Sequence, residues 1–278
     1  MNLIKSKKIG FIGVGNMGQA MIKALIDSKV VLPTNIYATN RSYGKLKKVS
    51  DLYGVQILKN NEELIDLCDV VILAVKPQDL TQVLEPIASS FSEGQIVISI
   101  AAGFSLKSLK RLLPNLKCLV RAMPNTPAMV QEAVVGYCLS EGAKIYQTTV
   151  EELLSPLGLV VPADEGEQFE GLTVSCGSGP GFIFELMLYW QEWVEEHGFE
   201  PSVARNMVVQ TFLGAAELAA RSPQISLQEL QDKVVSKKGV TASGLQSMQE
   251  LEIERALRYS FEKAVLRDQE ISRGTAQQ

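Results

Sequence analysis

The hydrophobic positions in the first half of the chain alternate between short apolar runs and longer segments with apolar residues at helical spacing. The apolar runs predict strands at Ile9–Gly13, Asn35–Ala38, Gln56–Leu58, Asp69–Val75, Gln95–Ala101, Cys118–Met123 and Val134–Leu139. The segments between them predict helices at Met17–Ser28, Ser42–Tyr53, Glu62–Leu67, Leu80–Ser89, Ser105–Leu112 and Ala143–Leu157. Such alternation indicates an α/β fold with a doubly wound parallel sheet and helices on both faces.

The pattern changes near Pro162, after which no segment of the sequence is typical of a strand. Helices are predicted at Phe182–Glu196, Pro201–Ala220, Ser226–Val235, Ser243–Leu251 and Ile253–Ser272. The charge changes at the same place, because basic residues predominate before it and acidic residues after it. We therefore expect two domains, an α/β domain over residues 1–162 and an all-helical domain over residues 163–278.

One segment of the second domain, residues 182–190, is apolar nearly all round. A helix at the edge of a domain needs only one apolar stripe, so this segment calls for additional burial. Two interpretations stay open at this point. The segment is either the central helix of the second domain or part of a subunit interface.

Composition and charge exclude several classes of protein. The 278 residues are 46% hydrophobic and 21% charged, which is typical of globular proteins and not of disordered or collagen-like chains. The net charge of −4 and the sequence pI of about 5.3 argue against a dedicated nucleic-acid binder. No apolar run approaches 18 residues, so we expect no membrane span.

The metal-ligating and redox-active residues are few and scattered. The four cysteines contain no C-x-x-C pair and the chain has one histidine, His197, which argues against a zinc site or a disulfide framework. Free thiols are typical of a reducing compartment, so we expect a cytoplasmic protein. His197 follows a predicted helix, where a cation interacts favourably with the helix dipole, so a structural role is favoured over a catalytic one.

A glycine-rich loop follows the first predicted strand and opens the first predicted helix. It reads Gly13-Val14-Gly15-Asn16-Met17-Gly18, the G-x-G-x-x-G pattern of dinucleotide-binding sites. The first glycine permits the tight turn, the second lets the backbone approach a pyrophosphate, and the third allows close packing of helix and strand. Its position between strand and helix favours dinucleotide binding over a purely structural turn.

The end of the second predicted strand indicates which nicotinamide cofactor is bound. NAD sites commonly place a carboxylate there for the ribose 2′-hydroxyl, but this strand ends in Asn40-Arg41-Ser42. Arg41 can pair with a 2′-phosphate, and Asn40 and Ser42 can add hydrogen bonds. We therefore expect NADP(H) to be preferred and NAD(H) to be possible, the alternative being that Arg41 is a solvated surface residue.

The absence of a histidine suited to act as a base favours a reduction that needs none. A protonated imine is already electrophilic, so an enzyme that reduces it mainly aligns the hydride donor with the acceptor. The loop Ser236–Thr241 precedes another predicted helix, with Thr241 or Ser243 as its cap. The amide groups of such a helix start are suited to bind a carboxylate.

Taken together, these motifs resemble the pyrroline-5-carboxylate reductase family. The resemblance rests on FIGVGNMGQAM (11–21), NRS (40–42), DVVILAVKPQ (69–78), VRAMPNTPA (120–128), GSGPGF (177–182) and the 236–245 loop with the helix after it. It implies a Rossmann domain followed by an all-helical dimerisation domain, self-association as a dimer or a ring of dimers, and an active site completed by helices of the dimer. The implied reaction is the last step of proline biosynthesis, in which NAD(P)H reduces 1-pyrroline-5-carboxylate to L-proline.

The resemblance also implies roles for individual residues. Val14, Asn16 and Met17 would line the pyrophosphate, Asn40 and Arg41 the 2′-phosphate, Asn61 the adenosine ribose, and Ala74, Val75, Lys76, Pro77, Ala102 and Asn125 the rest of the cofactor. Thr241 would be catalytic, with its hydroxyl against the ring nitrogen of the substrate. Ser236 and the backbone of Gly239 and Val240 would hold the substrate carboxylate.

One loop departs from the family pattern. The family reads S-P-G-G-x-T, whereas this chain has Lys237 and Lys238 in place of proline and the first glycine. If that second position requires a positive φ, Lys238 is strained. The loop then either holds the same carboxylate with added positive charge, or has drifted towards another substrate or loss of activity.

Two alternative functions follow from these observations. The first is a β-hydroxyacid-dehydrogenase-like oxidoreductase, which has a similar N-terminal motif but needs a lysine in the helix at 182–196, where this chain has none. The second is a non-catalytic NADP-binding regulator derived from the reductase, which only the altered loop supports. Neither alternative implies a metal, a membrane or a nucleic-acid partner.

Overall fold

The strands of the first half form one mostly parallel sheet in the structure, a computed structural model that describes residues 4–277. Within these residues the strands are β1 (Ile9–Ile12), β2 (Ile36–Thr39), β3 (Gln56–Ile57), β4 (Val70–Leu73), β5 (Ile96–Ser99), β6 (Cys118–Met123), β7 (Ala133–Leu139) and β8 (Gly158–Pro162). Their order in the sheet is β3-β2-β1-β4-β5-β6-β7-β8. The predicted α/β class and all seven predicted strands are confirmed.

The helices divide between the sheet and the second half of the chain. Beside the sheet lie α1 (Asn16–Asp27), α2 (Tyr43–Tyr53), α3 (Asn61–Leu67), α4 (Pro77–Leu84), α5 (Leu106–Leu112), α6 (Gln147–Leu154) and α7 (Glu167–Leu172). They are followed by α8 (Gly179–Glu196), α9 (Pro201–Ala220), α10 (Leu227–Val234), α11 (Val240–Glu250) and α12 (Ile253–Gln277). The helical character predicted for the second half is thus confirmed.

The sheet differs from the prediction at its β6–β8 side. β6 and β7 are antiparallel, because the nine residues 124–132 between them are too few for the crossover that a parallel pair needs. β8, which the sequence did not predict, pairs with β7 and begins directly after Leu157. β8 is short, half-buried and ends in Pro162, so its apolar pattern is weak.

The centre of the sheet is buried on both faces, as the continuous apolar run at 69–75 predicts. Val70 and Ile72 of β4 belong to the hydrophobic cluster on one face of the sheet, and Val71 and Leu73 to the cluster on the other. Each of these four side chains is fully buried. This packing holds β4 in place and thereby positions the residues that follow its carboxyl end.

The chain forms two compact units, which are described separately below. The first runs up to Pro180 and also contains the end of α12 from Ala264, and the second spans Gly181–Lys263. The predicted domains meet near residue 162, whereas these compact units meet at Pro180. The predicted boundary concerns independently folding domains and stays a prediction.

A buried cluster of charged residues lies in the first unit and includes a residue from the end of α12. Arg121 of β6 is 4% exposed, its guanidinium carbon lies 4.1 Å from the centre of the Phe169 ring, and its Nη1 lies 3.5 Å from Oε1 of Glu165. Burial raises the pKa of Asp268 on α12, and the positive charge of Arg121 opposes that shift. Ile271, one turn further, contacts Gly103 closely. These contacts attach the last turns of α12 to the α/β unit.

Candidate active site

The glycine loop between β1 and α1 has the geometry that its three glycines predict. Gly13 has φ of 101°, and a Cβ placed there would lie 2.7 Å from the carbonyl oxygen of Ala74. A Cβ at Gly18 would lie 2.8 Å from the carbonyl oxygen of Gly13. At Gly15, by contrast, a Cβ would meet no described atom within 4 Å, so this backbone faces open space. The arrangement fits a pyrophosphate group against Gly15.

Hydrogen bonds hold this loop against the neighbouring strands. The backbone N–H of Gly13 donates to the carbonyl of Thr39 at 2.9 Å, and that of Val14 donates to Oδ1 of Asn40 at 3.4 Å. Nε2 of Gln19 donates to the carbonyl of Val14 at 2.8 Å. Among the described residues no side chain caps the start of α1. The first amide groups of α1 are therefore available to an anionic ligand.

A cleft of about 620 Å³ opens at the carboxyl ends of β1, β2 and β4. Strand order reverses between β1 and β4, which is where open α/β sheets bind their ligands. Ten of the predicted cofactor residues line it: Gly13, Val14, Gly15, Asn40, Arg41, Ser42, Asn61, Ala74, Val75 and Lys76. The tertiary structure thus brings residues from four separate loops into one site.

The cleft also contains charged residues that the sequence analysis missed. Lys45 and Lys59 line it beside Arg41, and Asp79 and Glu62 are its two acidic residues. Nη2 of Arg41 lies 2.7 Å from Oδ2 of Asp79. Lys45 stands in the first turn of α2, four residues after Arg41, and this nearness in the sequence could have revealed it. Nothing in the sequence relates Lys59 or Asp79 to this site.

The remaining predicted cofactor residues lie outside the lining of this cleft. Asn16, Met17 and Gly18 form the first turn of α1, and Pro77 is the first residue of α4. Ala102 follows β5 and is half-buried. Asn125 follows β6, where its Nδ2 donates to the carbonyl of Cys176 at 3.0 Å and its Oδ1 accepts from the backbone N–H of Val134 at 3.1 Å. The cofactor roles of these residues stay predictions.

The predicted substrate loop lies in the second compact unit and forms a tight turn. The N–H of Gly239 donates to the carbonyl of Ser236 at 3.0 Å, and Lys238, the third residue of the turn, has φ of 58°. A turn with a positive φ at its third residue favours glycine there and proline at the second position. The S-P-G-G family pattern therefore describes this same turn, and Lys238 is strained as the sequence analysis anticipated.

The helix after this turn begins earlier than predicted. α11 starts at Val240 with Gly239 as its N-cap residue, so Thr241 stands in the first turn and neither Thr241 nor Ser243 is the cap. Ser236, Val240 and Thr241 are exposed. No described side chain caps α11, so its first amide groups and the Thr241 hydroxyl are available to a ligand.

His197 is placed at a helix end, as the sequence analysis favoured. Its Nδ1 lies 2.7 Å from the carbonyl oxygen of Trp193, in the last turn of α8, and its ring packs against the Trp193 ring with centres 4.0 Å apart. These contacts assign the imidazole a local structural role. Among the described residues no group of three His, Cys, Asp or Glu side chains could hold a metal ion, and no helix is long and apolar enough to cross a membrane.

A glycine loop at the switch point of a doubly wound sheet, with cations beside the second strand, defines a Rossmann oxidoreductase that uses NAD(P)H. Two family models match the chain: NADP oxidoreductase coenzyme F420-dependent over residues 8–103, and pyrroline-5-carboxylate reductase dimerisation over residues 166–271. Pyrroline-5-carboxylate reductase of Haemophilus influenzae is 32% identical, with 96% of this chain and 98% of that protein covered. The chain belongs to the pyrroline-5-carboxylate reductase family.

Solved structures support the same assignment. The pyrroline-5-carboxylate reductase of Coxiella burnetii has a TM-score of 0.90 and 32% identity, with 96% of this chain and 99% of that chain covered. The pyrroline carboxylate reductase of Plasmodium falciparum, solved with NADP bound, has a TM-score of 0.84, and its coverage is 96% and 99%. At 24% identity this second likeness shows the fold alone.

Proposed function

We propose that the protein reduces 1-pyrroline-5-carboxylate to L-proline with NAD(P)H as hydride donor, the last step of proline biosynthesis. The observation that carries this proposal is the family match over nearly the whole chain, which includes both the nucleotide-binding and the helical parts. The cytoplasmic location expected from the sequence belongs to the same proposal.

The first unit binds and orients the cofactor. The amide groups at the start of α1 and the open backbone at Gly15 receive the pyrophosphate. Arg41, with Lys45 and Lys59, which also line the cleft, receives the 2′-phosphate of NADP(H). When bound, NAD(P)H supplies the hydride for the imine carbon. The chain's own contribution here is to fix the position of the donor.

The loop before α11 binds the substrate. The amide groups of Gly239 and Val240, with the Ser236 hydroxyl, hold the carboxylate of the cyclic imine. The Thr241 hydroxyl contacts the ring nitrogen and orients the carbon–nitrogen double bond. This division of tasks needs no histidine, in agreement with the structural role of His197. A lysine-dependent β-hydroxyacid dehydrogenase is disfavoured because α8 contains no lysine.

The helical part mediates self-association. Large apolar side chains on α8 stay exposed in the single chain, among them Phe184 at 59%, Leu188 at 51% and Trp193 at 57%. Apolar surface of this extent is typical of an interface. Because this part matches the dimerisation model of the family, we propose that a second copy of the chain covers α8.

The catalytic role of Thr241 can be tested with two substitutions. We expect Thr241→Ala to lower kcat/KM for pyrroline-5-carboxylate about tenfold to a hundredfold, because one hydrogen bond to a charged group is lost. Thr241→Ser keeps the hydroxyl and should retain most of the activity. The measurement is NADPH oxidation followed by absorbance, with a β-keto acid as control substrate and NADPH affinity measured separately.

The outcomes separate the candidate functions. Unchanged turnover in Thr241→Ala would contradict the assigned role. A wild-type protein that binds NADPH but turns over neither substrate would overturn the reductase proposal and favour the regulator. Turnover of the β-keto acid alone would favour the dehydrogenase.

A further inference from the structure

We propose that Asp79 determines the cofactor preference of this enzyme by pairing with Arg41, which weakens the 2′-phosphate site and allows NADH to be used beside NADPH. The inference rests on the proposed function, because it concerns the nicotinamide cofactor of the same reaction. It gives a structural reason for one part of the expectation from the sequence, namely that NAD(H) is possible beside NADP(H).

The two partners of the ion pair differ in exposure. Nη2 of Arg41 lies 2.7 Å from Oδ2 of Asp79, a charge-assisted hydrogen bond. The Asp79 side chain is 21% exposed, whereas the Arg41 side chain is 79% exposed. Arg41 therefore has more room than Asp79 to move towards a ligand.

The backbone of Asp79 is held at the start of a helix. Asp79 is the third residue of α4, which begins at Pro77, and its N–H donates to the carbonyl of Lys76 at 2.9 Å. An acidic side chain in the first turn of a helix also interacts favourably with the helix dipole. The cleft thus holds an acidic side chain in contact with the exposed Arg41.

This negative charge acts selectively on the phosphorylated cofactor. A 2′-phosphate bound by Arg41 must share the guanidinium with Asp79 or displace it, and it is also repelled by the carboxylate. NADH has a hydroxyl at that position and meets neither cost. Lys45 and Lys59 form no ion pair with a described residue, so they retain some affinity for the phosphate.

The test compares two nucleotide fragments on the full-length protein. Isothermal titration with 2′,5′-ADP and with 5′-AMP isolates the contribution of the 2′-phosphate without any catalytic step. We expect Asp79→Asn to raise the ratio of the two affinities about tenfold, because repulsion and competition are both removed. Arg41→Ala should lower the ratio, and Asp79→Asn should have a smaller effect in that background.

A matched control removes the same charge elsewhere. Asp66 is exposed near the end of α3, whereas Asn61 at the start of α3 lines the cleft. Asp66 does not line the cleft, so Asp66→Asn should leave the ratio of the two affinities within twofold of the wild-type ratio. The kcat/KM ratio of NADPH to NADH should change in the same direction as the binding ratio in Asp79→Asn.

Three results would overturn the inference, and they are distinguishable. An unchanged ratio in Asp79→Asn, or an equal rise in Asp66→Asn, would show that the Arg41–Asp79 pair does not determine the preference, while the proposed function stands. Failure of the wild-type protein to bind either fragment would overturn the nucleotide site and the proposed function together.

Discussion

Gly13 and Gly15 stand two residues apart, yet we expect alanine substitutions there to affect different properties, the stability at Gly13 and the ligand affinity at Gly15. Gly15 has φ of −69°, and an added Cβ would meet no described atom within 4 Å. Gly13 has φ of 101°, and an added Cβ would meet the Ala74 carbonyl at 2.7 Å. Gly15→Ala should therefore impair ligand binding alone, and Gly13→Ala should impair folding.

The magnitudes follow from the local geometry. Gly15→Ala should change stability little, or raise it by about 0.4–1 kcal/mol, because alanine restricts the unfolded chain. Its methyl group would block the approach of a pyrophosphate, and the loss of one charge-assisted hydrogen bond, about 1.5–3 kcal/mol, lowers NADPH affinity roughly tenfold to a hundredfold. Gly13→Ala combines backbone strain with a steric clash and should lower stability by about 2–5 kcal/mol.

The assay measures both properties in each variant. Denaturant unfolding without nucleotide gives the stability, and isothermal titration with NADPH gives the affinity. Gly94→Ala is the control, because a Cβ there also meets no described atom and Gly94 does not line the cleft. If Gly15→Ala bound NADPH with wild-type affinity, the loop would not be the pyrophosphate site. If Gly13→Ala and Gly15→Ala were equally stable, the steric argument would be refuted.

Two further predictions concern the second unit. Lys238→Gly should raise the free energy of unfolding by about 1 kcal/mol, since glycine adopts the positive φ without strain. Lys237→Gly is the control and should not raise it. A lower free energy of unfolding in Lys238→Gly would contradict the strained turn. Phe184→Glu should shift the protein towards the monomer in analytical ultracentrifugation with unchanged helical content, because the side chain is exposed in the single chain. Lys47→Gln is the charge control, because it also lowers the net charge by one, and an unchanged mass in Phe184→Glu would place the interface elsewhere.

The sequence by itself determined the features that depend on local pattern. The buried run at 69–75 predicts β4 because a strand covered on both faces has no polar positions. The glycine loop predicts a nucleotide site because each glycine answers a local steric demand. The turn at 236–239 belongs here only through the family pattern S-P-G-G, because this chain has Lys238 and no glycine at the residue with the positive φ.

The tertiary structure alone decided which distant side chains meet. Arg41 and Asp79 are 38 positions apart and contact only because β2 and β4 end at the same edge of the sheet, on either side of β1. Asn125 turns both ends of its amide to protein partners, one of them 51 positions away. Such contacts depend on strand order and on side-chain direction, which periodicity does not encode. The acidic partner of Arg41 therefore could not be predicted from the sequence, whereas Arg41 itself could.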